Sequence, residues 1–240
     1  MSVRVAAVVL AGGRGSRVQG EVNKVFLPIQ GREVLEYSLD TFDRAPRVTE
    51  IVVVARSEDR SRLEAMLAAL APGKSIAIVN GGATRHQSEV AGIESLAVGI
   101  ESGSIDLVAI HDGARPFMTL DLLESCIQSA AEGGGAIPGL APESPLYRIA
   151  DGMAVPLGSE SVIRAQTPQV FSARPLLEAY RAAVAAGLEG VDTAETMERW
   201  GMTRVAVVAG DERNIKVTFV EDLFRAEELA LAWERGRWKS

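Results

Sequence analysis

The sequence predicts a doubly wound α/β fold, with a mainly parallel sheet covered on both faces and a β-arm inserted into it. Three observations carry this reading. Short apolar runs recur along the chain, and the first ends in glycines, as strands buried on both sides do. Segments with helical spacing lie between them. One stretch, from Gly133 to Gln169, breaks the alternation with a text rich in Gly, Pro and Ser. Strand and helix in alternation imply right-handed crossovers and a parallel sheet.

The first strand is expected over Val5–Leu10, ahead of Gly12, Gly13 and Gly15. Leu35, Leu39 and Phe42 share one helical face before the next run, Ile51–Val54. Leu63, Met66, Leu67 and Leu70 form a second such face, followed by strands at Ile76–Val79 and Leu107–Ile110. Leu122, Leu123, Ile127 and Ala130 mark a further helix. Within the irregular stretch, Leu146–Ile149 and Met153–Val155 read as a hairpin closed by Asp151-Gly152, because glycine tolerates the positive φ of a two-residue turn. Amphipathic helices are expected at Pro175–Ala186 and Val220–Trp238, with a strand at Val205–Val208 between them and a basic, fraying end at Arg235–Ser240. The expectation is one domain over residues 1–240, with the arm at about 139–163.

Composition narrows the function. The 240 residues carry 25 Lys+Arg against 32 Asp+Glu, a net charge of −7, which argues against a nucleic-acid binder. A local cluster of cations can still reverse that field around a small anion. One cysteine, Cys126, and two histidines, His86 and His111, exclude a disulfide framework and a Cys/His zinc site. No apolar run approaches the ~20 residues that cross a bilayer, and the start lacks a signal-peptide pattern. A cytoplasmic enzyme with no membrane partner is the expectation.

The strongest local signal is Leu10-Ala11-Gly12-Gly13-Arg14-Gly15-Ser16-Arg17, with Lys24 behind it. Residues without side chains at the end of a buried strand let backbone N–H groups approach an anion, although a plain glycine turn has the same look. The spacing is neither the dinucleotide fingerprint nor the P-loop. Arg14, Arg17 and Lys24 bring three cations to a protein that is acidic overall, and open α/β sheets place ligands at strand carboxyl ends. A polyphosphate cradle is therefore the better reading. His111-Asp112-Gly113-Ala114-Arg115-Pro116 follows a strand: Asp112 can hold a divalent cation, Gly113 leaves space for a ligand, and Arg115 can pair with Asp112 or bind phosphate. Thr119 is a better helix cap than Asp112, and His111 reads as structural rather than catalytic. Gly81-Gly82-Ala83-Thr84-Arg85-His86-Gln87-Ser88 suits close contact with a base or sugar, with Ser88 placed at a helix start where it can equally be a cap. Lys216, between Ile215 and Val217, is either drawn from water towards an anion or snorkelling along an edge strand. Gln166-Thr167-Pro168-Gln169 is a polar turn that can contact substrate or simply end the arm.

Together these segments resemble the 2-C-methyl-D-erythritol 4-phosphate cytidylyltransferase family, in order and over nearly the whole chain. The glycine segment is similar to the signature shared by many nucleotidyltransferases, which implies a Rossmann-like nucleotidyltransferase fold. The resemblance implies transfer of CMP from CTP to the methylerythritol phosphate, with release of pyrophosphate and with Mg²⁺, in non-mevalonate isoprenoid precursor synthesis. By the same resemblance, Ala11, Gly12, Gly13 and Gly15 surround the nucleotide, together with Gly82, Ser88 and Gly113. Gly82 and Ser88 would contact cytosine, and Asp112 would hold the metal. Arg17, Lys24 and Lys216 would be the catalytic cations, and Thr167 and Arg115 would seat the acceptor. The family also implies a homodimer through the β-arm. In-line attack by a phosphate needs no protein nucleophile, which agrees with a site rich in Gly, Arg and Lys.

The chain departs from the family pattern in three places. Asn23-Lys24-Val25-Phe26 stands where Pro-Lys-Gln-Tyr/Phe is usual, and Glu143-Ser144-Pro145-Leu146-Tyr147 where Asp-Thr-Ile/Leu-Lys is usual. Ser159 aligns with an arm arginine, for which Arg148 or Arg164 are the substitutes in reach. All three lie on or near the acceptor side or the arm. Rival readings are a cytidylyltransferase for another polyol phosphate such as ribitol 5-phosphate, an enzyme using a different nucleoside triphosphate, and a CTP-binding module without turnover. Whether Arg85 and Arg115 touch substrate or hold loops by ion pairs is left open by the sequence.

Overall fold

The computed structural model describes residues 3–13, 23–158, 162–201 and 203–234. The chain opens with β1 (Val5–Leu10), whose residues from Val5 to Val9 are wholly buried. After a short 3-10 turn at Lys24–Phe26, the small strands β2 (Pro28–Ile29) and β3 (Arg32–Glu33) form a hairpin that leads into α1 (Val34–Arg44). There follow β4 (Val48–Ala55), α2 (Arg60–Leu70), β5 (Ile76–Asn80), α3 (Arg85–Ser95), α4 (Ala97–Glu101), β6 (Leu107–Asp112) and α5 (Leu120–Gly133). Then come β7 (Gly135–Leu140), β8 (Leu146–Ala150), β9 (Met153–Leu157), β10 (Arg164–Ala165) and β11 (Gln169–Ser172). The chain closes with α6 (Ala173–Ala186), α7 (Thr193–Trp200), β12 (Ala206–Ala209) and α8 (Val220–Glu234).

The main sheet has the order β10-β7-β11-β6-β1-β4-β5, with β12 also pairing to β7. The pairs among β6, β1, β4 and β5 are parallel. β11 runs antiparallel to β6 and β7, as β10 does to β7, so the sheet is mixed but mainly parallel. Alternate residues of β1 feed the two faces. Val5, Ala7 and Val9 pack with Leu35, Leu39 and Phe42 of α1, Leu63 of α2 and Ile127 of α5. Ala6 and Val8 pack with Ile93 of α3, Ile100 of α4, Leu176 of α6 and Met197 of α7. The expected strands at 51–54, 76–79 and 107–110 and the three apolar helix faces stand as read.

Several elements differ from expectation. β7 and β11 fall in the stretch read as part of the irregular region, and α6 starts two residues before Pro175. The segment around Lys216 is a loop, not an edge strand. The hairpin β8–β9 turns at Asp151 and Gly152, both with positive φ (51° and 76°), as the sequence requires. It forms a two-stranded sheet of its own. Thr119 caps α5 by accepting from the Leu122 amide, leaving Asp112 free of that duty. Among the described residues no helix is long and apolar enough to cross a membrane.

Candidate active site

The carboxyl ends of β1, β4, β5 and β6 all open on one cleft of about 870 Å³. Ala11 N–H bonds to the Val54 carbonyl (2.7 Å) and Gly81 N–H to the Ala55 carbonyl (2.8 Å), which ties the loops together at the rim. Gly12 and Gly13 line the cleft. A methyl group on Gly12 would meet nothing closer than 4.0 Å, so this loop presents bare backbone to the open space. Arg14, Gly15, Ser16 and Arg17 lie outside the described residues.

Lys24 reaches the same space from the 3-10 turn, its Cε 3.9 Å from where a Gly13 Cβ would stand. Asn23 holds that turn. Its amide donates to the Ala11 carbonyl (2.6 Å) and to Asp59 Oδ2 (2.9 Å), and its Oδ1 accepts from the Val25 amide. Both main-chain polar groups of Ala11 are therefore engaged, and Ala11 is fully buried. Its part in the site is to seat the loop rather than to offer a hydrogen bond.

The loop after β5 is narrow. A Cβ on Gly82 would fall 2.3 Å from the Gln87 Cβ, and one on Gly81 would fall 2.8 Å from the Ser88 hydroxyl. Thr84, not Ser88, is the cap of α3, accepting from the Gln87 amide at 3.1 Å. Ser88 lies in the first turn, where its hydroxyl accepts from Gly82 N–H (3.2 Å) and donates to the Thr84 carbonyl (2.9 Å). Gly82 and Ser88 both line the cleft.

Asp112, the last residue of β6, is 6% exposed and faces a ring of cations. Arg85 Nη1 contacts its Oδ1, Lys216 Nζ sits 2.7 Å from its Oδ2, and Arg115 Nε stands 3.9 Å away. Burial alone would raise its pKa. The Arg85, Lys216 and Arg115 charges overcome that and hold the carboxyl well below the usual range. Arg85 is shared, its Nε bonding Glu89 at 2.9 Å. Arg115 donates through Nη1 to the Asn214 carbonyl (2.8 Å) and so braces the Lys216 loop.

Several expected roles are taken up by structure. The room read at Gly113 is filled: an added Cβ would lie 2.9 Å from Leu35 Cδ1 and 3.0 Å from the Leu10 carbonyl. This glycine permits packing against β1 and does not line the cleft. Thr167 is buried, its hydroxyl accepting from the Asp112 amide (3.1 Å) and donating to His111 Nδ1 (3.0 Å). That direction follows because His111 Nε2 faces the Arg115 carbonyl at 3.1 Å and must carry the proton. His111 is wholly buried, and burial pushes its pKa down to about 4, so it stays neutral and structural as expected. Asn214 donates to the Thr167 carbonyl (2.8 Å), which joins the two C-terminal motifs behind Asp112. Arg164 is engaged with Glu143 (2.7 Å) and the Ala141 carbonyl, and Arg148 is exposed on the hairpin.

Arg56, Ser57 and Glu58 also line the cleft and were not singled out in the sequence, although they follow a buried strand just as the glycine loop does. Glu89 was missed as well; its signal is the i,i+4 spacing from Arg85.

Among the described residues no three His, Cys, Asp or Glu side chains converge. A divalent cation would thus take Asp112 as a protein ligand and fill its shell from phosphate oxygens and water, a pattern that Mg²⁺ accepts. The residues present fit that ion on those terms.

The chain is similar to known proteins over nearly its whole length. Residues 5–231 match the description of 2-C-methyl-D-erythritol 4-phosphate cytidylyltransferase. The enzyme of that name from Geobacillus kaustophilus is 38% identical over 225 residues, covering 93% of this chain and 95% of that one. Among solved structures, 4-diphosphocytidyl-2C-methyl-D-erythritol synthase from Anaerococcus prevotii superposes with a TM-score of 0.84 at 26% identity, over 96% of this chain and 97% of that one. The 2-C-methyl-D-erythritol 4-phosphate cytidylyltransferase of Thermus thermophilus gives 0.71 at 29% identity, over 96% and 100%. With the glycine loop, the cation-ringed aspartate and the mixed sheet all in place, the chain belongs to the 2-C-methyl-D-erythritol 4-phosphate cytidylyltransferase family.

Proposed function

We propose that the protein transfers CMP from CTP to 2-C-methyl-D-erythritol 4-phosphate and releases pyrophosphate, in isoprenoid precursor synthesis. The observation that carries this is Asp112 at the mouth of the glycine loop, with Arg85 and Lys216 on its two oxygens. A site that gathers this much positive charge beside bare backbone is suited to a triphosphate.

Gly12 and Gly13 offer main-chain groups to the phosphates, and Gly82 with Ser88 offers a narrow slot to the base. Lys24 and Lys216 both line the cleft and stabilise the charge that builds on the α-phosphate and the leaving pyrophosphate. Arg17, outside the described residues, is the third catalytic cation by the family resemblance. Arg115 steadies the Lys216 loop and Thr167 fixes the Asp112 main chain, so both serve the acceptor side through position. Asp112 would hold Mg²⁺, which when bound would add to the neutralisation of the triphosphate. No protein base is needed, because the attacking acceptor phosphate is already an anion, and His111 is buried and neutral.

The proposal extends to a cytoplasmic homodimer whose subunits meet through the β8–β9 arm. Supporting it, Tyr147, Ile149 and Met153 are more than half exposed on that hairpin. A cytidylyltransferase for another polyol phosphate, such as ribitol 5-phosphate, is the second reading, favoured by the engagement of Arg164 with Glu143.

The deciding experiment measures pyrophosphate release from CTP and Mg²⁺ with a panel of acceptor phosphates. Release that requires methylerythritol 4-phosphate is the expected result, and Asp112→Asn should abolish it. Release with a different polyol phosphate alone would transfer the assignment to the second reading.

A further inference from the structure

Glu89 is the one fully buried carboxylate on α3, with no exposed surface. Three donors converge on it: Arg85 Nε on Oε1 at 2.9 Å, the Thr193 hydroxyl on Oε1 at 3.1 Å, and the Tyr180 hydroxyl on Oε2 at 2.8 Å. Burial and the nearby Asp112 charge raise its pKa, and Arg85, Tyr180 and Thr193 offset this only in part, so the net shift is upward. Arg85 Nε can only donate, so Oε1 is its acceptor, and the charged form of Glu89 is the one that pairs with the guanidinium. The isolated charge would be costly, so the geometry must serve the partner it holds.

That partner is Arg85, whose guanidinium is gripped on two edges by two carboxylates. The Nε edge meets Glu89 in the interior, and the Nη1 edge meets Asp112 at the cleft. The two carboxylates differ in freedom. Glu89 is locked to α6 through Tyr180 and to α7 through Thr193, whereas Asp112 faces the cleft. When Asp112 turns to a cation and the triphosphate, Arg85 loses its partner at the rim and keeps the one in the core. Without Glu89, nothing among these contacts would stop the long arginine side chain from following Asp112 or turning to solvent.

We propose that Glu89 is a positioning residue that clamps the Nε edge of Arg85, so that the other edge stays aimed at the cleft when substrate engages Asp112. This rests on the nucleotidyl-transfer reading above. The clamp leaves Arg85 one fixed and one exchangeable salt bridge, so the cation hands its outer edge from carboxylate to phosphate with little reorganisation.

Glu89→Gln tests this, because it keeps an acceptor for Arg85 Nε and the same volume while removing the charge. Glu89→Asp is the second variant, keeping the charge but withdrawing it by one methylene. Both should lower kcat by about tenfold or more, as loss of partners behind a metal ligand does, with the KM for the acceptor unchanged. In an Arg85→Ala background, Glu89→Gln should cost nothing further. A purely structural role would instead lower the melting temperature equally in both backgrounds and leave kcat alone. Independently of turnover, the Arg85 Nε–H resonance, assigned by its absence in Arg85→Ala, should stay protected from exchange when Mg²⁺ and CTP are added. In Glu89→Gln the same addition should expose it. Equal protection in both proteins, or wild-type kcat in Glu89→Gln, overturns the clamp. A wild-type protein that releases no pyrophosphate with any acceptor sinks the underlying reading, and the clamp with it, which separates the two failures.

Discussion

Lys216 Nζ lies 2.7 Å from Asp112 Oδ2, although the residues are 104 positions apart. The two arrive by different routes. Asp112 is fixed as the last residue of a buried strand, whereas Lys216 sits in a loop tied down by Asn214 on the Thr167 carbonyl and by Arg115 on the Asn214 carbonyl. The pair ties the end of β6 to the loop that follows β12, at the cleft. On the proposed reading, Asp112 holds in place, before phosphate binds, the cation that would serve the triphosphate.

Replacing that ammonium tests its role directly. Lys216→Met retains the length of the stem and should lower kcat by about 10²–10³-fold, the usual effect of losing one preorganised donor at a developing charge. CTP binding measured by calorimetry should weaken far less. Equal losses in binding and turnover would show that Lys216 holds ground state and transition state alike.

Acid stability should report His111. Its folded pKa of about 4 lies below the ordinary value of 6.5, so the unfolded chain takes up a proton first as pH falls. The contribution is fully present above about pH 6.5 and drains away towards pH 4, by roughly 3 kcal/mol at most at about 1.4 kcal/mol per pKa unit. Urea unfolding at a series of pH values should show a shallower slope between pH 6.5 and 4 in His111→Asn than in the wild type, where His86 and the paired carboxylates add their own share.

The glycines of the rim should divide into two classes. Gly12→Ala has room for its methyl group in the fold and places it in the cleft, so the melting temperature should hold while the KM for CTP rises about tenfold, equivalent to about 1.4 kcal/mol. Gly82→Ala drives a methyl group into Gln87 and should lower both the melting temperature and the affinity for CTP. Thermal melts and kinetics on the two variants check this together.

The hairpin should be needed for association. Its register puts Tyr147 and Ile149 on one face with Ala154 and Pro156, and Leu146 and Arg148 on the other with Val155 and Leu157, so apolar groups point both ways. Ile149→Asp combined with Met153→Asp should convert a dimer to a monomer in sedimentation. A wild-type monomer would remove the arm from the account of assembly.

Much of this was legible in the sequence because it depended on short-range pattern. The apolar run at Val5–Leu10, ending in glycines, read as a buried strand, and Asp151-Gly152 read as the turn of a tight hairpin. β7 was hidden because Gly-Ala-Ile-Pro-Gly-Leu contains the residues that normally break strands. It is stable as a strand because its neighbours β11 and β12 supply the pairing. The convergence on Asp112 was only half visible. Asp112 and Lys216 could be named as candidates, but their ion pair depends on a sheet order no local pattern encodes. Glu89 looked like one more charge on a helix, and only the packing of α6 and α7 over it reveals a buried anion.

The two ends of the arm are bonded to each other, Leu140 opposite Arg164 and Gly139 opposite Ala165. That junction makes the arm a cassette. Its content can be exchanged or drift without opening the sheet, because the strands that carry the glycine loop and Asp112 never pass through it. The unusual Glu143–Tyr147 segment sits inside the clip. The arm is thus separable from the strands that carry the glycine loop and Asp112, and grafting residues 141–163 from a relative should transplant whatever acceptor preference they encode into an otherwise untouched scaffold.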